Sequence, residues 1–367
     1  MKIALLAALP LALFLAVAEQ RSWQPRTLRV SSGLIGSLAF SSDNKTLAAG
    51  IFKPVNKYES EVQVWDVDAK LLHLAIPLRS LVWTLALSSD GAVVAGGTDD
   101  QLVHLWDTNS GELLHRFDGQ GPLFFSADSL QLAGLTIRWP VNIWQITTWN
   151  AHTAKVLRTV RIPLKPKQEG AVPHLPASGP NVFGPIGPFY SGAAYSRPMW
   201  SLAPSSGLGA VALQKAVYPG RWPVLNKGIL LFDSHNGKPK CILRESSEHN
   251  AIKALNFSRD GRTLAVAEGA PQGPDKVRLW DAATGRLQVT WLESTGAHSL
   301  AFSPDGTRLA CISYGDTVVR LRNRQTGQLL RELKGHHKSV TAVAFSPDGS
   351  TLATGSQDGT VKLWRIK

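Results

Sequence analysis

The chain has 367 residues, is 44% hydrophobic and 18% charged, and sets 39 Lys and Arg against 27 Asp and Glu for a net charge of +12. Its only cysteines are Cys241 and Cys311. Two thiols are too few for a disulfide scaffold or a thiolate metal centre, and a chain of this length buries enough core to stand without staples.

The N-terminus reads Met1-Lys2, then an apolar run from Ile3 to Val17, then Ala16-Val17-Ala18 before Glu19. One basic residue, a short apolar core and a small-residue site predict a secretory signal peptide over residues 1–18. The run is shorter than the roughly 20 residues a spanning helix needs. The competing reading is an uncleaved membrane anchor. No cysteine follows the run, so a lipidation site is absent, and no later segment is apolar for long enough to span. The expectation is an exported chain (periplasmic, cell-surface or secreted), with residues 19–25 as a linker.

From Arg26 onward the sequence repeats. Arg26–Ser31 reads as an orphan strand. Unit one then carries Phe40-Ser41-Ser42-Asp43 and Trp65-Asp66, and unit two Leu87-Ser88-Ser89-Asp90-Gly91 and Trp106-Asp107. Unit three is degenerate, with Phe125-Ser126-Ala127-Asp128 and Trp149-Asn150, and unit four more so, with Pro204-Ser205-Ser206-Gly207 and Phe232-Asp233. Unit five has Phe257-Ser258-Arg259-Asp260-Gly261 and Leu279-Trp280-Asp281. Units six and seven share Ala-Phe-Ser-Pro-Asp-Gly at 301–306 and 344–349; unit seven ends in Val361-Lys362-Leu363-Trp364, and unit six has Arg322 where that Trp stands. Each unit alternates apolar and polar residues over short runs between Pro, Gly and Asp turns, the pattern of antiparallel strands. Four strands in roughly 40–45 residues is the spacing of propeller blades. The predicted fold is all-β: a seven-bladed β-propeller of four-stranded antiparallel blades over residues 26–367. Unit seven stops after its third strand, so Arg26–Ser31 is expected to close the ring by supplying the missing outer strand. Six and eight blades are the competing counts, because units three and four are weak.

These units resemble the WD-repeat family of β-propellers, and unit seven matches best. The resemblance implies that His336, Thr354, Asp358 and Trp364 form a buried hydrogen-bonded tetrad. Unit two keeps Asp100 and Trp106 but lacks the His. Arg322, at the Trp position of unit six, is expected to tolerate replacement better than Trp364. The resemblance covers roughly residues 26–367 and specifies fold far more than function.

Function is sought where the chain departs from the repeat. Turns between first and second strands, and between third and fourth, are uniformly short. Long insertions fall between second and third strands at Ile51–Ser60, Leu135–Gln145, Lys215–Lys227 and Gly269–Asp275, and between units three and four at Pro163–Pro198. In a propeller both of these classes open on one face. Residues 138–243 hold 12 basic and 2 acidic residues, against 10 and 13 in 1–137 and 17 and 12 in 244–367. The candidate binding residues are Arg138, Trp139, Tyr190, Tyr195, Arg197, Tyr218, Arg221 and Trp222, of the aromatic and Arg types enriched in interface hot spots. The plainer alternative is that these aromatics tether long loops to their blades. A protein or peptide is the expected partner, an anionic polymer such as a cell-surface polysaccharide the second, and nucleic acid is ranked low for an exported chain. Catalysis ranks third: none of the inferred innermost strands carries Asp or Glu, the histidines lack ligand spacing, and neither a cofactor nor a metal is expected.

Overall fold

Period-two alternation gives each blade two apolar faces, so no blade is stable until it is sandwiched between neighbours. The computed structural model describes residues 25–30, 33–53, 59–138, 143–162, 200–203, 207–218, 221–244, 251–269, 274–293, 296–313 and 315–366. It contains seven antiparallel sheets of four strands each. Strands within a blade follow one another outward. Blade one is Leu34–Phe40, Thr46–Phe52, Ser60–Asp66 and Leu71–Leu78; blade five is Ala251–Phe257, Thr263–Gly269, Asp275–Asp281 and Leu287–Glu293.

The core lies in the seams between blades. Seven buried apolar clusters each draw on two adjacent blades, one cluster per seam. Alternation assigns the side chains: in blade five Val277 and Leu279 enter the seam with blade six, while Trp280 enters the seam with blade four. The seam between blades seven and one joins Val361 and Leu363 to Ile35, Leu47 and Trp65, which makes the array a closed ring.

Blade seven takes its outer strand from the N-terminus, as the repeat count predicts. Arg26–Arg29 pairs antiparallel with Thr360–Arg365, setting Leu28 opposite Val361, and the Val30 amide extends the ladder to the Gly359 carbonyl at 3.1 Å. Leu28 is buried in the closing seam. Removal of residues 19–31 is therefore expected to leave Thr360–Arg365 as an open edge and to take Leu28 from the core. Loss of a buried Leu alone costs about 2–5 kcal/mol, so the shortened chain should aggregate or melt well below one starting at residue 19; equal melting temperatures would rule out this closure.

The short turns explain why Ser-x-Asp-Gly recurs. The Ser hydroxyl donates to the Asp carboxylate at 2.5–2.7 Å in blades one, two, three, five, six and seven. The same hydroxyl accepts the amide that opens the next strand, as from Thr351 to Ser346 at 2.9 Å. The fourth turn residue has φ between 61° and 74° at Asn44, Gly91, Ser129, Gly261, Gly306 and Gly349, the left-handed region where Gly and Asn cost least.

Candidate interaction face

Alternate strands run in opposite directions, so every second-to-third turn emerges at the end of the blade where the first strand begins. The blade-to-blade connections open there too. On this face the second and third strands terminate at Phe52 and Ser60 in blade one, Arg138 and Ile143 in blade three, Tyr218 and Arg221 in blade four, and Gly269 and Asp275 in blade five.

Two of the insertions read from sequence as loops are instead strand extensions. In blade three pairing continues to Arg138 opposite Ile143. In blade four the second and third strands, Leu208–Tyr218 and Arg221–Asp233, pair out to Tyr218 opposite Arg221, with register shifts at Ala212/Gln214 and Ala216/Tyr218. The first strand of that blade pairs no further than Val211, and the outer strand starts its pairing at Ile229. Beyond those positions the hairpin is a two-stranded arm. Five residues from Gln214 to Tyr218 at about 3.3 Å each give it a reach of about 17 Å. The local cause is the β-favouring run of Tyr218, Trp222 and Val224 in the two strands of the arm.

Of the candidate binding residues, the structure places Tyr218 and Arg221 as register partners at the end of this arm, with Trp222 next in its returning strand. Arg138 ends the corresponding strand of the adjacent blade. Trp139, Tyr190, Tyr195 and Arg197 lie outside the described residues.

An aromatic pair on the same face escapes the sequence reading. Phe52, at the end of the second strand of blade one, meets Trp83 of the inner strand of blade two with ring centroids 4.9 Å apart and a 55° tilt. Both rings are half-buried. Gly36 makes this geometry: a Cβ there would lie 2.2 Å from the Phe52 ring, so only Gly lets the ring lie over the inner strand. Beside it Lys53 pairs with Glu61 at 2.8 Å. Trp83 was legible as a residue the repeat does not require at that place, but its partner comes from another blade.

In the seam between blades six and seven, the residues assigned to the tetrad form one hydrogen-bonded chain. The Trp364 indole N–H donates to Thr354 Oγ1 at 2.8 Å. Thr354 Oγ1 lies 2.8 Å from His336 Nε2, and His336 Nδ1 lies 3.0 Å from Asp358 Oδ2. With the Thr hydroxyl already accepting from Trp364, its proton goes to Nε2 and the remaining ring proton sits on Nδ1, facing the carboxylate. That arrangement needs a neutral His336. Burial lowers its pKa more than Asp358 raises it. Burial pushes the Asp358 carboxyl up, but the Thr360 hydroxyl, the His337 amide and His336 bring it below its ordinary value.

Blade two builds a related group with a different histidine. His104, on the third strand, stacks on Trp106 at 5.3 Å and 13°, and its Nε2 lies 3.6 Å from Asp100 Oδ2. Opposite it stands Gly96, where a Cβ would lie 2.8 Å from the Trp106 ring. An imidazole two residues before the Trp was visible in the sequence; it was missed because the family pattern puts the His ahead of the first strand. The same third-strand position is Gln63 in blade one, Arg278 in blade five and Arg320 in blade six, each held by an acid: Glu61 at 2.6 Å, Glu268 at 2.9 Å and Asp316 at 2.7 Å.

Blade six speaks against the expectation that Arg322 tolerates replacement better than Trp364. Its Nε lies 2.5 Å from Oε1 of Glu293, a carboxylate 1% exposed on the outer strand of blade five. Trp291 donates to the same oxygen at 2.9 Å, and the guanidinium lies 5.6 Å from the centre of the Trp291 ring. Arg322 thus clamps two blades together where a Trp fills the seam elsewhere.

Among the described residues, no group of three His, Cys, Asp or Glu is placed to hold a metal ion. The buried acids are instead tied up in pairs: Asp275 takes Lys253 at 2.7 Å and the Ala297 amide at 2.7 Å, and Glu268, whose carboxyl burial pushes up against the opposing pull of Arg278, pairs with that Arg. Cys241 and Cys311 are free thiols, and burial raises the pKa of both.

Comparison with known proteins agrees with this architecture. The family model described as "WD domain, G-beta repeat" matches residues 76–107 and 327–365. Protein groucho of Drosophila melanogaster is 32% identical over 131 residues, 35% of this chain and 17% of that protein. Topless-related protein 3 of Arabidopsis thaliana is 24% identical over 169 residues, 46% of this chain and 14% of that protein. Apoptotic protease-activating factor 1 of Rattus norvegicus is 22% identical over 321 residues, 83% of this chain and 24% of that protein. The chain thus spans about a quarter or less of the length of each of these relatives. With seven repeat-built blades, matches to that family model over two stretches, and a Trp-centred polar group in the seam of the last blade, the chain is a seven-bladed β-propeller similar to the WD-repeat proteins.

Proposed function

We propose that this propeller is a non-enzymatic scaffold that captures a protein or peptide partner on the face bearing its insertions. The observation that carries the reading is the blade-four arm, which extends the sheet beyond the blade on that face and ends in Tyr218 paired with Arg221. A ribbon of this kind adds contact area without disturbing the seams that hold the ring. The Phe52–Trp83 pair adds half-buried aromatic surface nearer the channel, where desolvation of a partner side chain is least costly. The absence of carboxylates from the innermost strands supports binding over catalysis, and the leader-like residues 1–18 support export of the mature chain.

The test is capture by the mature chain of partners from its own envelope or secreted fraction. Trp222→Ala and Trp83→Ala should each weaken capture about tenfold or more, the loss of one hot-spot aromatic, while melting stays within a few degrees. Lost stability and increased proteolysis without lost capture would show the aromatics to be loop tethers.

A second reading, an anionic polymer, is favoured by one observation: residues 138–243 carry 12 basic and 2 acidic residues. It predicts that capture falls steeply with ionic strength and that joint Arg138→Glu and Arg221→Glu substitution acts more strongly at low salt. Protein capture centred on the aromatics predicts a shallow salt dependence.

A further inference from the structure

We propose that the outer strand of blade one, Leu71–Leu78, is a self-pairing edge through which two copies of this chain join sheet to sheet. A propeller leaves one open strand on the rim of every blade, and natural sheets blunt such edges with charge, Pro or short length. Five of the seven outer strands carry charge toward solvent: Arg26 and Arg29 in the closing strand, Arg116 and Asp118 in Leu113–Asp118, Arg158 and Arg161 in Val156–Arg161, Lys240 in Pro239–Leu243, and Arg331, Glu332 and Lys334 in Leu329–Lys334; in Leu287–Glu293 the one acid, Glu293, is buried against Arg322. Leu71–Leu78 reads Leu-Leu-His-Leu-Ala-Ile-Pro-Leu. It is the longest of the seven and has no Asp, Glu, Lys or Arg.

Its apolar side chains divide between core and solvent. Ile76 is buried and Leu74 and Leu78 are half-buried against blade two, whereas Leu71 is 66% and Leu72 44% exposed. Proline is tolerated in a paired strand only where its nitrogen faces away from the neighbour. Pro77 stands opposite Glu61 in the register with the third strand, and Ala75 stands opposite Gln63. Backbone groups alternate sides along a strand, so Ala75 turns its N–H and C=O to the same free edge as Pro77. Pro77 ends the usable ladder there, leaving Leu71–Ile76.

A second copy is the occupant that fits. Antiparallel apposition of one strand with itself about a two-fold axis is isologous, so each residue must meet its own strand. A charged edge repels itself under that symmetry unless opposite charges fall in register; this edge has no permanent charge to oppose. Leu71 and Leu72 of each copy then lie beside the C-terminal half of the partner's strand, around Leu74 to Ile76, and two four-stranded blades become one continuous sheet.

Sedimentation of the mature chain from about 1 to about 200 µM, the range in which one strand pair is expected to dissociate, should show monomer passing to dimer. Ala75→Pro, which removes the free donor without touching the core, and Leu72→Lys, which places like charges across the axis, should each weaken association at least tenfold. Amide exchange in Leu71–Ile76 should slow as concentration rises, while the outer strands Leu113–Asp118 and Leu329–Lys334 stay unchanged. If Ala75→Pro fails to fold, Leu72→Lys and the exchange measurement still decide. A monomer throughout the range, or a dimer whose strength and exchange pattern ignore this strand, overturns the proposal. Partner capture on the insertion face is read separately, so neither result stands in for the other.

Discussion

Trp364→Ala should lower the stability of this propeller by about 3–5 kcal/mol, the range for truncating a core aromatic. Trp364 is 2% exposed and lies in the seam cluster with Ile312, Leu321 and Leu352. It also supplies the first proton of the chain that runs through Thr354 and His336 to Asp358. Asp358→Ala removes the acceptor of His336, of the His337 amide at 2.9 Å and of the Thr360 hydroxyl at 2.6 Å. Leaving such donors unmet costs roughly 1–3 kcal/mol. Urea denaturation of both variants checks this; a Trp364→Ala protein within about 1 kcal/mol of wild type would show that the seam does not depend on this side chain.

The same transitions should depend on pH with a definite sign. Burial, with Lys253 adding to it, lowers the pKa of His298 to about 4, and burial also holds His336 below its ordinary value despite Asp358. Both rings are neutral in the fold, whereas the unfolded chain takes up their protons near pH 6.5. The stability they confer is fully present above that pH and is lost as pH falls toward 4. For His298 the difference amounts to about 3 kcal/mol. Denaturation midpoints that stay level across this window would show that the rings are hydrated and protonated in the native state.

What the sequence made legible was local. Ser-Pro-Asp-Gly is read within a few residues, because the Ser, the Asp and the left-handed Gly all serve one turn. The closing strand was legible because unit seven ends a strand short while Arg26–Ser31 has no blade of its own. The blade-four arm was not, because Pro219, Gly220 and Pro223 read as loop chemistry; the ladder tolerates Pro223 at a register shift. Most of the rest that was missed crosses a seam. Phe52 finds Trp83 in the next blade, and Arg322 finds Glu293 on the preceding one. Repeat alignment compares each position with its copies and is blind to such partners.

Arg322 is where that blindness matters most for stability. Aligned with Trp364, it reads as a degenerate position, and a degenerate surface-like residue costs little to remove. In the seam it is the main counter-charge of a nearly inaccessible carboxylate: the side chain of Glu293 is 1% exposed and that of Arg322 13%. Arg320 stands farther off, at 4.0 Å from the other oxygen, and is itself engaged by Asp316 at 2.7 Å. Breaking a buried pair by removing one partner costs about 3–5 kcal/mol, because the charge left behind has lost its water without keeping its partner. Arg322→Ala should therefore destabilise about as much as Trp364→Ala. The double variant Arg322→Met with Glu293→Leu should recover most of the loss, since replacing both ions by apolar groups of similar size removes the desolvation penalty along with the attraction. A double-mutant cycle on these two positions should give a coupling of about 1–3 kcal/mol. An Arg322→Ala protein as stable as wild type, with additive effects in the double variant, would mean that Glu293 is served by Trp291 and Arg320 alone and that blades five and six are held by their apolar seam, Leu279 against Leu300 and Leu309, without help from charge.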